Sequence, residues 1–77
     1  MPRRARADET AARFGEAVRS AREARGETLD AVAHRLPTMD LKYLGEIERG
    51  WHSPTISTAK RIADALEVRF AVLVEDL

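Results

Sequence analysis

The chain contains no cysteine, so it can form neither a disulfide nor a thiolate metal site, which fits a reducing cytoplasm and argues against secretion. Aromatic residues make up only 5%. A core drawn from the 44% hydrophobic residues must therefore rest on Ala, Leu, Val and Ile, which suits helices packed closely on small side chains. No apolar run approaches the roughly 20 residues of a membrane span, and no signal-type apolar stretch follows the basic start. There is no glycine-rich phosphate loop. The two histidines, His34 and His52, have neither a nucleophile nor a metal-ligand set in register. Enzymatic activity, a metal and a cofactor are not expected. Excess charge is missing too: the formal net charge is +0, although phosphate contacts dominate nucleic-acid affinity. The distribution is uneven, because Arg3, Arg4 and Arg6 make the start basic, whereas Asp64, Glu67, Glu75 and Asp76 against Arg69 make the end acidic.

What is present is helical periodicity. At 77 residues the chain is one small domain, burying only about 60% of its unfolded surface. Residues 1–9 read as a basic arm and residues 10–77 as the folded domain. Phe14, Ala17, Val18 and Ala21 recur at helical spacing, and Gly26 supplies a stop. Thr28 offers an N-cap to a second helix over 28–36, with Leu29, Val32, Ala33 and Leu36 inside and Pro37 closing it. Asp40 caps a third helix with Leu44 and Ile47 inward and Gly50 as its stop. Pro54 and Thr55 open a fourth helix with an apolar face of Ile56, Ala59, Ile62, Ala63 and Leu66. A short fifth helix follows. Two helices meeting steeply across a tight turn need small residues, for which Ala33 and Gly45 are the candidates. Helix, short turn and helix with a polar outer face is the outline of a DNA-reading helix-turn-helix.

Over residues 14–68 the sequence resembles the phage-repressor-like, or XRE, helix-turn-helix family. The resemblance rests on Ile47-Glu48-Arg49-Gly50, the Pro54-Thr55 that follows, and Ile62-Ala63-Asp64-Ala65-Leu66. In length the chain is most similar to the small controller proteins of restriction–modification systems. The implied fold is all-α, with five helices. The resemblance implies a buried ion pair between Arg22 and Glu48, and base readers on the outer face of the third helix at Leu41, Lys42 and Glu46. Lys42 can donate to guanine and Glu46 can accept from cytosine, while Leu41 meets a thymine methyl or joins the core. Phosphate contacts fall to the helix starts at Thr28 and Thr55, and to Tyr43, Arg49, His52 and Ser53. Trp51 packs on the sugar–phosphate edge, donates its indole N–H, or lies as a lid over Ile56. Two positions depart from the family: Leu29 stands where a glutamine is common, and the turn at Pro37-Thr38-Met39 is one residue longer. Both bear on how the third helix docks.

One recognition helix reads too few base pairs to find a single genomic site. The resemblance therefore implies a homodimer on double-stranded DNA with a palindromic operator, its two readers about 34–36 Å apart. Val68, Phe70, Leu73, Val74 and Leu77 exceed what one small core needs and are the expected dimer interface. The basic arm either follows DNA or is solvated. The expected function is a cytoplasmic transcriptional regulator of controller or autoregulatory-repressor type, with no membrane partner and no small-molecule ligand. The alternative is an antitoxin or protein-interaction module on the same fold. Glu23, Glu27 and Asp30 read as surface charges.

Overall fold

Local chemistry sets the helix boundaries. The computed structural model describes residues 8–77, so Arg3, Arg4 and Arg6 of the expected arm lie outside the described residues. The Asp8 carboxylate accepts from the Ala11 N–H at 2.7 Å and starts α1, Glu9–Ala24. Asp8 and Glu9, expected within the arm over residues 1–9, belong instead to the helix and its cap. Thr28 Oγ1 accepts from Ala31 N–H and starts α2, Leu29–His34. Asp40 does the same for Tyr43 N–H at 2.8 Å and starts α3, Leu41–Glu48. Thr55 caps α4, Ile56–Leu66, while α5, Phe70–Val74, begins without a side-chain cap. Each cap satisfies a backbone donor that the helix itself leaves open. Helix α2 ends two residues before the expected Leu36. Pro37 disfavours the α conformation at Leu36, and the chain tightens instead, with Arg35 N–H on Val32 O and Leu36 N–H on Ala33 O. Leu36 still reaches the core.

Three helices finish with the same hydrogen-bonded pattern. At α1, Gly26 N–H meets Glu23 O and Glu27 N–H meets Arg22 O; at α3, Gly50 N–H meets Ile47 O and Trp51 N–H meets Glu46 O. At α4 the pair is Glu67 to Asp64 and Val68 to Ala63. This reciprocal closure requires a left-handed residue just past the helix. Gly26 and Gly50 fill that role at φ 69° and 80°, but α4 uses Glu67 at φ 58°. A side chain there is strained by roughly 1 kcal/mol. Glu67→Gly is therefore expected to raise stability by about 0.5–1 kcal/mol in thermal or urea melts. Among the described residues, the side-chain contact it removes is an exposed 3.5 Å pair with Arg25, of a kind that contributes little.

The core joins all five helices through Phe14, Val18, Val32, Leu36, Leu44, Ile47, Ala59, Ile62, Ala63, Leu66 and Leu73. Helix α1 lies across α3, α4 and α5, with α2 against α3. The close approach of backbones occurs where the sequence did not point. A Cβ on Gly15 would meet the carbonyl oxygen of Ile47 and sit 2.6 Å from that of Glu48, so α1 rests directly on the C-terminal end of α3. Gly45 instead faces side chains, with Leu29 Cδ2 3.1 Å from where a Cβ would stand. Ile56, expected inward, is 78% exposed. No helix among the described residues is long and apolar enough to cross a membrane.

Candidate nucleic-acid interface

The third helix can present an outer face only if the frame around it is fixed, and two charge clusters contribute, the first at the last turn of α3 and the second between α1, α2 and α4. Arg22 of α1 donates from Nε to Glu48 Oε2 at 2.8 Å and from Nη2 to Glu48 Oε1 at 3.0 Å. Its remaining Nη1 reaches Glu27 O at 2.9 Å. The side chains are only 16% and 8% exposed. The hydrogen bond to Glu48 is the main cause that raises the Arg22 pKa above its ordinary value. This two-pronged pair clamps α1 to the last turn of α3.

The second cluster centres on Glu27, which is not the solvated charge its sequence context suggested. Its Oε1 accepts from Arg35 Nη2 at 2.7 Å and from Arg25 Nε at 2.9 Å. Arg35 Nε also holds Ala65 O at 3.0 Å. One carboxylate thus ties the α1–α2 turn to the end of α2, and through Arg35 to α4. The bonds from Arg35 and then Arg25 pull its pKa from 4.5 to about 2. A carboxylate whose folded pKa is depressed stabilises the fold fully above its unfolded pKa, and that contribution is lost as pH falls through the folded value. Melting temperatures of the native chain and Glu27→Gln should therefore differ by a constant amount above about pH 4.5. The gap is expected to close between there and about pH 2.

Along α3, Leu41 is exposed and Lys42 projects into solvent, its side chain 83% exposed. Glu46 does not join them. It is 7% exposed, which corrects its expected place on the outer face. Its Oε1 lies 2.7 Å from His52 Nε2, and its Oε2 lies 3.6 Å from Lys42 Nζ. Tyr43 tilts against the His52 ring at a centroid distance of 4.9 Å. His52 stands in the loop after α3, and the Gly50 stop turns that loop back over the helix. A carboxylate four residues before a glycine-marked turn and six before a histidine is the signal that was available.

The other expected contact residues fall around this loop and the helix starts. Arg49 and Ser53 are exposed, whereas Trp51 is half-buried. The Arg49 guanidinium lies 5.0 Å from the centroid of the Trp51 ring, a cation–π contact. With Ile56 exposed, Trp51 is no lid over it. Thr28 and Thr55 use their hydroxyls as caps, and Thr55 Oγ1 also donates to Thr58 Oγ1. Of the apolar residues expected at a subunit interface, Leu73 is buried within the chain at 1% exposure, because the last helix turns it against α1 and α4. It is removed from that set. Val68, Phe70 and Val74 are half-buried and Leu77 is exposed. Phe70, Val74, Leu77 and Ile56 line one shallow groove with Thr10 and Phe14.

Two solved structures share this fold. The restriction–modification controller protein C.AhdI from Aeromonas hydrophila superposes with a TM-score of 0.76 at 27% identity, over 82% of this chain and 94% of that one. An HTH_3 family transcriptional regulator from Vibrio cholerae superposes with a TM-score of 0.79 at 34% identity, over 87% of this chain. This chain spans only 37% of the length of the Vibrio regulator. A comparison with curated proteins gives no match. The HTH_3 helix-turn-helix family profile matches residues 18–73. That stretch runs from the middle of α1 to α5 and includes both clamps, Asp40 and the whole of α3. With five helices and no strand among the described residues, the chain belongs to the HTH_3, XRE-type helix-turn-helix family of DNA-binding transcription regulators.

Proposed function

We propose that the protein is a homodimeric transcriptional regulator of controller or autoregulatory type that reads a palindromic operator with α3. The observation that carries this reading is the exposed Lys42 on a helix whose far end is locked by the Arg22–Glu48 clamp. A rigid helix with a solvent-projecting ammonium early on its outer face suits donation to guanine O6 and N7 in the major groove. Leu41, exposed beside it, suits a thymine methyl. Arg49 supplies what Leu29 lacks. Both side chains overlie Gly45, with Arg49 Nη1 3.5 Å and Leu29 Cδ2 3.1 Å from the Cβ position. A guanidinium therefore stands beside the start of α2, and phosphate is its natural ligand. Thr28, Tyr43, Trp51, His52, Ser53 and Thr55 complete the proposed backbone-contacting set.

The groove of Ile56, Phe70, Val74 and Leu77 supports pairing of two chains, since an apolar surface around the exposed Ile56 is best covered by a like surface across a two-fold axis. Selection from a random duplex library should return an inverted repeat with half-sites about one helical turn apart. Lys42→Ala is expected to weaken binding to the selected duplex by about 1–3 kcal/mol while the melting temperature stays put. Binding should also fall steeply with salt. A chain that sediments as a monomer on DNA, or selected sites without two-fold symmetry, would overturn the dimeric reading. A chain with no affinity for any duplex at low salt would leave the same groove as a docking surface for another protein.

A further inference from the structure

The geometry points to Glu46 as a positioning residue that holds His52 as a protonated phosphate ligand, so that DNA binding takes up a proton. This rests on the DNA-binding reading above. The carboxylate sits buried on the recognition helix, where its charge would oppose DNA unless it is neutralised. Two groups are at hand, the Lys42 ammonium at 3.6 Å and the His52 imidazole, a cation only when protonated, at 2.7 Å. Lys42, almost wholly solvated, is loosely held and able to swing to a base edge. His52 is the tighter partner.

The imidazole has two nitrogens with different fates. Nε2 is taken by Glu46 and one ring face lies against Tyr43, yet the side chain remains 32% exposed. Among the described residues Nδ1 has no hydrogen-bond partner. If Nε2 donates to the carboxylate in a neutral ring, Nδ1 is a bare acceptor and repels a phosphate oxygen. Only the imidazolium donates from both edges. A phosphate approaching Nδ1 therefore places the ring between two anions, and a proton from solvent binds with the DNA. Among the described residues, the Glu46 carboxylate and the Tyr43 ring lie against the imidazole, and Lys42 pairs with the other oxygen of that carboxylate; all three come from α3. With His52 neutral, Glu46 and Lys42 cancel; with His52 protonated, the cluster gains a positive charge.

The test is affinity of the full chain for a mixed-sequence DNA duplex at low salt, followed from about pH 5 to 8, the range in which histidine changes charge. Glu27 titrates below this window. Affinity is expected to fall as pH rises, by up to about tenfold per unit for each chain, the limit for one linked proton. His52→Gln should flatten the profile, and His34→Gln, on the exposed side of α2, should leave it unchanged. Glu46→Gln is decisive. If Glu46 merely opposes DNA, removing its charge tightens binding at neutral pH; if it reads cytosine, the pH profile stays as it was. The positioning role requires weaker binding at neutral pH and a profile displaced to lower pH, with an unchanged melting temperature. A pH-independent native chain, or a slope that survives His52→Gln, overturns the inference while leaving DNA binding intact. No binding at any pH overturns the DNA-binding reading as well.

Discussion

Gly15→Ala is expected to lower the melting temperature by about 10 °C or more, although alanine is the better helix former by about 1 kcal/mol. The added methyl would meet the Ile47 carbonyl oxygen and lie 2.6 Å and 2.9 Å from the oxygen and carbon of the Glu48 carbonyl. These are backbone atoms, so no rotamer change makes room. Helix α1 must move off the end of α3, and that motion stretches the Arg22–Glu48 bonds and loosens Phe14 and Val18 in the core. Overpacking costs typically 1–3 kcal/mol even where side chains can shift, so a net loss of about 2 kcal/mol or more is the expected balance. Gly26→Ala is the comparison, since it has the left-handed strain but nothing within 4 Å, and should cost only about 1 kcal/mol. Differential scanning calorimetry of the two variants decides the matter. A Gly15→Ala chain as stable as the native one would mean that α1 and α3 do not touch in this way.

The position of Gly15 also shows what the sequence concealed. Helix starts were legible because their causes are local: Thr28, Asp40 and Thr55 each bond a backbone N–H three residues on. Gly26 and Gly50 marked ends for the same reason. Gly15 lies in the middle of α1 with no turn nearby, and its role depends on a carbonyl more than thirty residues away. Periodicity can say which face is inward, but not how near two backbones come. Ile56 departs from the inward position its spacing predicts for a related reason. It stands at the first position of α4, where the helix has not yet turned its apolar face under cover.

At the interface, residue type was legible and direction was not. Lys42 projects as helical spacing and polarity suggest. Glu46 shares that stripe, one turn further on, yet its carboxylate is drawn inward by His52, which the Gly50 closure folds back over α3. A loop that returns to its own helix is invisible to a wheel of that helix alone. Glu27 was hidden in the same manner, because its partner Arg35 comes close only after α2 has been placed. Leu73 belongs with the reverse error: an apolar residue near the end of the chain suggested a second subunit, where α1 and α4 of its own chain suffice.

Arg22→Ala and Glu48→Ala are each expected to destabilise the protein by about 3–5 kcal/mol, enough to leave a domain of this size largely unfolded at moderate temperature. The reason is the ion left behind. Without Arg22, the Glu48 carboxylate loses both donors at a site where its side chain is 8% exposed, and the Glu27 carbonyl loses its bond from Nη1. Without Glu48, the guanidinium keeps that carbonyl but loses the hydrogen bonds that chiefly hold its pKa up, and the counter-charge with them. The removal of Arg22 should therefore be the worse of the two. The net worth of the intact pair is a separate quantity, since burying two charges costs nearly what their attraction returns. Replacing both together, as Arg22→Met with Glu48→Met, removes the orphaned ion and fills the space with apolar atoms. Urea melts should then show a double variant within about 1–2 kcal/mol of the native chain, far short of the sum of the single losses. If the double variant were as unstable as either single one, the pair would itself be a main source of stability. If it is recovered, the pair's contribution is geometric: two parallel hydrogen bonds that fix the end of α3 against α1, which a pair of methionines cannot reproduce. Binding to a selected duplex then separates the two contributions, because the double variant should fold yet discriminate less well between operator and random DNA.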